Sequence, residues 1–145
     1  MPMEALRIVL AEDDDGHAAL IQRNLERAGL VNGFVRLKDG QEALDWFLGG
    51  GAPADEPYLL LLDIKMPRVD GIEVLRRLRA DARTVKLPVI ILTTTDDPRE
   101  VERCYELGCN VYVTKPVDYQ AFIEAVTRLG LFLQVVRVPR NGPKA

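Results

Sequence analysis

Residues 58–63 read YLLLLD, a short apolar run that ends on an aspartate. The run is far too short to span a membrane, and its length and composition predict a strand that is covered on both faces. A second run of the same kind, VIILT, occupies residues 89–93. Because strands buried on both faces belong to parallel sheets with helical crossovers, these two runs indicate an α/β fold.

Strand and helix patterns alternate along the rest of the chain. Five β-rich runs are predicted to be strands: 7–11, 34–37, 58–62, 89–93 and 110–114. Five helices are predicted from helical spacing and from capping residues: one ending at Gly29, then 41–48, 72–82, 97–108 and 118–129. Five strand–helix units joined by crossovers predict a doubly wound parallel sheet, in which functional groups stand at the carboxyl ends of the strands.

Length, charge and cysteine content exclude several classes of protein. The 145 residues are enough for one domain with a core of its own, predicted over residues 1–138, with an apolar extension from about residue 130 and a flexible tail at 139–145. The net charge of -3 argues against nucleic-acid binding, which needs clustered Lys and Arg. We expect a cytoplasmic protein without membrane contact, because no apolar segment suits a signal or a span. Cys104 and Cys109 match no metal or redox spacing and are predicted to be free thiols.

Acidic and polar residues follow four of the predicted strands. The first strand runs into EDDD at residues 12–15, the third into Asp63, the fourth ends on Thr93 and the fifth reaches Lys115. Carboxylates gathered at one sheet edge repel one another unless a hard cation binds their oxygens, and Mg²⁺ suits a pair such as Asp13 and Asp63. A hydroxyl and an ammonium group complement the oxygens of a phosphoryl group on Asp63. The set predicts phosphoryl transfer to this aspartate.

Two other functions remain open at this point. A magnesium-dependent hydrolase that forms an aspartyl-phosphate would ordinarily carry a second aspartate two residues after the first, where this chain has Lys65. We therefore expect a signalling switch that catalyses only its own phosphorylation and slow dephosphorylation. An interaction module with the same fold but without phosphorylation is the other alternative, and the complete set of site residues weighs against it.

Four motifs together resemble the receiver domains of two-component response regulators, the CheY-like proteins. They are IVLAEDD at 8–14, DIKMPRVDG at 63–71, PVIILT at 88–93 and YVTKP at 112–116, within a resemblance that covers residues 7 to about 129. The resemblance implies a flavodoxin-like sandwich whose five parallel strands lie in the order 2-1-3-4-5. It also implies a phosphorelay in which a sensor histidine kinase supplies the phosphoryl group. Within this family, the interaction module that works without phosphorylation is a pseudo-receiver.

The same resemblance implies a role for each acidic residue of the site. Asp63 would be the phosphoacceptor and a ligand of Mg²⁺, with Asp13 as a second direct ligand. Glu12 would act on the metal through water, and Lys65 would offer its backbone carbonyl.

The resemblance also implies how the switch operates. Thr93 and Lys115 would grip the phosphoryl oxygens, Thr93 would move towards them, and Tyr112 would turn inward. The face built from the fourth helix, fifth strand and fifth helix would then rearrange, as a population shift biased by a local change of charge. The bond between Lys115 and Pro116 would be cis, an isomer that proline tolerates.

Further motifs resemble the small, stand-alone receivers that pair with phytochrome-type sensor kinases: TTT at 93–95, YELGCN at 105–110 and RLGLF at 128–132. They imply a kinase partner of the bacteriophytochrome type. The apolar run continues to Val138, which is more than one amphipathic helix hides in its own domain, and predicts a homodimer through the fourth helix, fifth strand, fifth helix and C-terminal extension. No output domain is expected, so the signal is expected to pass through a protein partner.

Two residues beside the predicted site are less clearly assigned. Thr94 occupies a position at which many receivers carry Ala or Gly, which predicts narrower access to the phosphoryl group. His17, just past the acidic run, is predicted to be a solvent-exposed polar side chain, with a metal or partner contact as the alternative.

Overall fold

The computed structural model describes residues 7–29, 33–53, 56–116 and 119–133, and within them strands and helices alternate strictly. The strands are β1 (Arg7–Ala11), β2 (Val35–Leu37), β3 (Tyr58–Leu62), β4 (Val89–Thr93) and β5 (Val111–Thr114). The helices are α1 (Asp15–Arg27), α2 (Gly40–Leu48), α3 (Gly71–Arg79), α4 (Pro98–Leu107) and α5 (Tyr119–Leu133). The predicted tail at 139–145 and the end of the apolar extension lie outside the described residues.

The five strands form one sheet in the order β2-β1-β3-β4-β5, and every neighbouring pair is parallel. The register aligns Ala11 with Leu62, and Thr93 with Thr114. The residues that follow these four therefore emerge at one edge of the sheet. The doubly wound fold and its strand order are confirmed.

Side chains along the central strands enter two different cores in alternation, because successive side chains point to opposite faces of the sheet. Leu60 and Leu62 of β3 pack in a core with α2, α3 and α4, whereas Leu59 and Leu61 pack in a second core with α1 and α5. All five residues of β3 are buried. The continuous apolar run is thus explained by a core on each side.

Local capping explains where the helices begin. An aspartate immediately before each of four helices accepts a hydrogen bond from a backbone N–H of the first turn; these aspartates are Asp14, Asp39, Asp70 and Asp97. Such caps satisfy N–H groups that have no partner within the helix. At the other end of α4, Gly108 adopts the left-handed conformation with φ 104°, as expected of a C-terminal glycine.

Helix α3 is shorter than predicted, since it ends at Arg79 and not at residue 82. The Asp81 carboxylate accepts a hydrogen bond from the backbone N–H of Arg83, and the Thr84 hydroxyl donates to the carbonyl oxygen of Leu78 at 2.6 Å. These side chains offer the backbone an alternative to another helical turn. The apolar spacing of the sequence does not reveal such a competition.

Cys104 and Cys109 are both buried and free, as predicted. Burial raises the pKa of the Cys104 thiol to about 11, which keeps it in the unreactive protonated form. None of the helices in the described part of the chain has the length and apolar character that a membrane span requires.

Candidate functional site

Three carboxylates meet at the carboxyl ends of β1 and β3. Glu12 and Asp13 directly follow β1, and Asp63 directly follows the neighbouring strand β3. One carboxylate oxygen from each of the three lies within 4.8 Å of the others. Glu12 and Asp63 are buried, whereas Asp13 is exposed. The structure thus brings together the acidic residues that the sequence singled out.

The Lys115 ammonium lies among these carboxylates, although 103 residues separate it from Glu12. Its Nζ forms an ion pair with Glu12 Oε1 and lies 3.4 Å from Asp63 Oδ2. The side chain is only 1% exposed. A buried ammonium is costly unless opposite charges surround it, and the two carboxylates meet that requirement.

Thr93 supplies a buried hydroxyl at the end of β4, beside β3. Its Oγ1 atom has no hydrogen-bond partner within the part of the chain that the structure describes. A buried hydroxyl without a partner costs about 1–3 kcal/mol, so this one is suited to a ligand that brings acceptor oxygens. The Thr94 side chain that follows it is exposed.

The site carries more negative than positive charge. Burial raises the pKa of Glu12 to about 7, and the nearby charge of Asp63 adds to the rise, while the ion pair with Lys115 opposes it. With three carboxylates and one ammonium, the site has an excess of negative charge that another cation would neutralise. Clustered carboxylate oxygens are the donors that hard divalent ions such as Mg²⁺ prefer, so the residues present fit this ion.

Comparison with known proteins matches residues 8–127 to the response regulator receiver domain. The chain belongs to that family. It is similar to a solved receiver domain from Rhodospirillum rubrum, at 45% identity and a TM-score of 0.90, over 94% of this chain and 99% of that one. Receiver domains are signalling switches of two-component systems.

Two further relatives are response regulators whose length is close to that of this chain. Rcp1 from Synechocystis is 30% identical over 135 residues, covering 91% of this chain and 92% of Rcp1, and its Mn(2+)-bound structure gives a TM-score of 0.83. The phosphorylated cyanobacterial phytochrome response regulator RcpA is 30% identical, with a TM-score of 0.84 over 94% of this chain and 99% of that one. Two other curated relatives, both transcriptional regulators, are longer, and the match covers 48% of each.

The loop after β3 holds the receiver's Asp63 in place. The backbone N–H of Ile64 donates to Asp63 Oδ1 at 2.8 Å, and that of Gly71 donates to the carbonyl oxygen of Ile64 at 2.7 Å. A Cβ atom on Gly71 would lie 2.1 Å from the Asp63 carbonyl oxygen, so only glycine allows this approach. Lys65 is exposed in the same loop, and the role of its carbonyl stays a prediction.

Tyr112 on β5 is half-buried and packs against the core that contains Leu60 and Leu62. Its hydroxyl donates to the carbonyl oxygen of Thr95 at 2.6 Å, in the segment that follows Thr93. Burial raises the pKa of Tyr112 to about 12, so the phenol stays protonated and able to donate. Its predicted movement in the receiver's switch stays a prediction.

One prediction about the receiver's site is wrong. Among the described residues the structure contains no cis peptide bond, so the bond between Lys115 and Pro116 is trans. The trans isomer is also the one that an X–Pro bond favours, by about 0.5–1 kcal/mol.

The prediction that His17 is solvent-exposed is also wrong, because the residue is half-buried in the receiver. Its ring packs edge-on against Phe122 of α5, with ring centroids 5.3 Å apart, and its Nδ1 atom lies 3.2 Å from Lys115 Nζ. The first turn of α1 follows the acidic loop directly. That short separation from Glu12 is the signal by which the sequence could have placed His17 beside the site.

Arg36 of β2 is a supporting residue that the sequence did not reveal. Its Nε donates to the carbonyl oxygen of Glu12 at 2.9 Å, and its Nη1 lies 2.9 Å from Asp15 Oδ1. The guanidinium therefore ties the acidic loop to the neighbouring strand. No local pattern in the sequence predicts this contact, because Arg36 and Glu12 are 24 positions apart in the chain.

Proposed function

We propose that this receiver accepts a phosphoryl group on Asp63 from the phosphohistidine of a sensor histidine kinase, with Mg²⁺ as cofactor. The observation that carries the proposal is the cluster in which Asp63 lies beside two other carboxylates and the buried Lys115 ammonium. In the reaction an Asp63 oxygen forms a bond to phosphorus. The bond between phosphorus and the histidine nitrogen breaks, and that nitrogen keeps the electron pair.

The proposed metal set consists of Asp13, Asp63 and the backbone carbonyl of Lys65, with Glu12 acting through water. When bound, Mg²⁺ would neutralise charge on the transferring phosphoryl group. Two relatives support these assignments by analogy: Rcp1 has a Mn(2+)-bound structure, and RcpA has a phosphorylated one.

Thr93 and Lys115 are the proposed phosphoryl-binding side chains. The Lys115 ammonium needs to exchange only one carboxylate contact for a phosphoryl oxygen, because its Nζ already lies near Asp63. The Thr93 hydroxyl, which has no described partner, would gain an acceptor. Movement of Thr93 would disturb the following segment, where Tyr112 holds the Thr95 carbonyl. This connection supports a switch that reaches β5.

A kinase of the phytochrome type is the proposed partner, since RcpA, a cyanobacterial phytochrome response regulator, is among the similar structures. We also propose a homodimer through α4, β5, α5 and the C-terminal extension. Tyr105 on α4 and Val111 on β5 are exposed apolar residues on that face. Between β5 and α5 lies an apolar groove of about 310 Å³, lined by Val111, Val113, Ala125 and Leu129 among others. The sequence at 135–138 is also rich in valine, which favours the same self-association.

The phosphorylation proposal is tested by incubating the protein with Mg²⁺ and acetyl phosphate and measuring the intact mass. We expect an increment of one phosphoryl group in the wild type, lost when Mg²⁺ is chelated and lost in Asp63→Ala and in the near-isosteric Asp63→Asn. The absence of any increment, with no phosphate released, would instead support the pseudo-receiver. Rapid release of phosphate over many turnovers would support the hydrolase.

A further inference from the structure

The Lys115 ammonium faces three groups among the described residues. Besides Glu12 Oε1 and Asp63 Oδ2, its Nζ atom lies 3.2 Å from Nδ1 of His17. An ammonium group has three N–H donors and no acceptor. The three contacts can therefore use all three of its hydrogens, and His17 provides the neutral one.

The chemistry of this contact defines the state of the imidazole. Because Lys115 can only donate, Nδ1 of His17 must accept, and the ring proton must lie on Nε2. The ring is neutral in this tautomer. A neutral acceptor directs the ammonium without cancelling its positive charge, whereas each carboxylate partner reduces the charge that is available to a phosphoryl group.

The position of His17 is held from both ends. Its backbone N–H donates to Oδ1 of Asp14, the residue that caps α1, at 2.9 Å. Its ring lies edge-on to Phe122 of α5 at an interplanar angle of 86°. A cavity of about 530 Å³ adjoins the ring and is lined by Lys115 and Thr94 among others. His17 and Lys115 therefore both border this open space.

From this geometry we infer that His17 is a positioning residue for the phosphorylation of Asp63. It acts by holding the Lys115 ammonium beside the Asp63 carboxylate. The inference rests on the proposed phosphorylation. When a phosphoryl oxygen replaces a carboxylate as a partner of Lys115, the contact with His17 persists and preserves the direction of the side chain. A ring that merely fills space against Phe122 would have no such effect.

Two substitutions distinguish the effect of the hydrogen-bond acceptor of His17 from the effect of its aromatic ring. His17→Phe keeps an aromatic ring against Phe122 but removes the acceptor, whereas His17→Asn removes the ring but keeps an oxygen at a distance from the backbone similar to that of Nδ1. We expect His17→Phe to lower the maximal rate of phosphorylation by acetyl phosphate about 10-fold, the equivalent of one hydrogen bond to a charged group. The maximal rate of phosphorylation of His17→Asn should lie within about threefold of the wild-type rate.

The outcomes are distinguishable. Wild-type labelling with an equal rate in His17→Phe would overturn the role of His17 but leave the phosphorylation proposal intact. A slow His17→Asn beside a normal His17→Phe would show that only ring packing matters. A wild type that is never labelled would contradict the phosphorylation proposal itself.

A spectroscopic measurement tests the contact without phosphorylation. The chain contains a single histidine, so its ring nitrogens are unambiguous in a long-range ¹H–¹⁵N spectrum. We expect a neutral ring protonated on Nε2, and a shift of the Nδ1 signal in Lys115→Met. A ring protonated on Nδ1, or an Nδ1 signal that is unchanged in Lys115→Met, would contradict the inference.

Discussion

Glu12 lies 1% exposed beside two other carboxylates, and both of its oxygens are used. One forms the ion pair with Lys115, and the other accepts the backbone N–H of Asp14 at 3.2 Å. Even so, burial raises the pKa of Glu12 to about 7 from an ordinary value of 4.5. The residue therefore carries a destabilising charge at neutral pH, and a bound cation would relieve it.

This shift predicts how the stability of the metal-free protein depends on pH. Because the pKa of Glu12 is higher in the folded chain, the folded state binds more protons between pH 4.5 and pH 7, and the free energy of unfolding falls as pH rises through that window. The slope contributed by one proton is at most about 1.4 kcal/mol per pH unit. Urea unfolding at pH 5 and pH 7.5 in the presence of EDTA measures the difference.

Mg²⁺ should restore the free energy of unfolding that is lost at pH 7.5, because the ion binds the ionised carboxylates. The matched control is Glu12→Gln, which cannot titrate and should show a much flatter profile in EDTA. The carboxyl groups whose pKa is lowered, such as those of Asp14, Asp81 and Asp97, titrate below this window. An equal pH dependence in the wild type and in Glu12→Gln would refute the assignment.

Helices α2 and α3 both begin with a glycine that is packed against the loop carrying the acceptor. A Cβ atom on Gly40 would lie 1.9 Å from the Val69 carbonyl oxygen, and one on Gly71 would lie 2.1 Å from that of Asp63. Backbone atoms cannot give way as the end of a flexible side chain can. The N-termini of the two helices thus fix the conformation of residues 63–71.

Gly71→Ala is therefore expected to lower the free energy of unfolding by about 3 kcal/mol, the upper part of the usual range for overpacking. Gly50→Ala provides a control with the same chemical change. Gly50 has φ 91° but open space around a Cβ atom, so its substitution should cost only the backbone strain, about 1 kcal/mol. Chemical denaturation of both variants measures the difference. Equal losses in the two would mean that the loop adapts and that the close approach is dispensable.

Among the described residues β5 is an edge strand of the sheet, and it lies next to the exposed Tyr105 of α4 and to the apolar groove between β5 and α5. An unpaired edge strand beside apolar side chains favours association with another chain. Val111 is 39% exposed there, whereas Val85 is 45% exposed in the connection between α3 and β4. The two valines allow the proposed dimer face to be compared with a different surface.

Light scattering should give about twice the chain mass for the wild type. Val111→Lys is expected to weaken the dimer at least tenfold, about 1.4 kcal/mol, since a charge would enter an apolar contact. Val85→Lys should leave the dimer unchanged. A wild type that is monomeric at high concentration, or equal dissociation of the two variants, would rule out this face as the dimer interface.

Local sequence was enough to identify most elements and the acidic part of the site. The five apolar runs, the aspartate caps and Gly108 act over a few residues, so the strands and most helix boundaries could be predicted from them. The acids at 12–13 and Asp63 could be grouped because parallel strands place their carboxyl ends together. The strand order followed from the family resemblance, since no local pattern encodes it.

Contacts between distant segments required the folded structure. The ion pair of Lys115 with Glu12, the tether from Arg36 and the contact of His17 with Lys115 join residues that are 24 to 103 positions apart. Their geometry depends on the register of the sheet and on the packing of α1 against α5. Local patterns report which side chains are buried, but not which distant group each one meets. The charge balance around Asp63 is therefore a property of the tertiary fold.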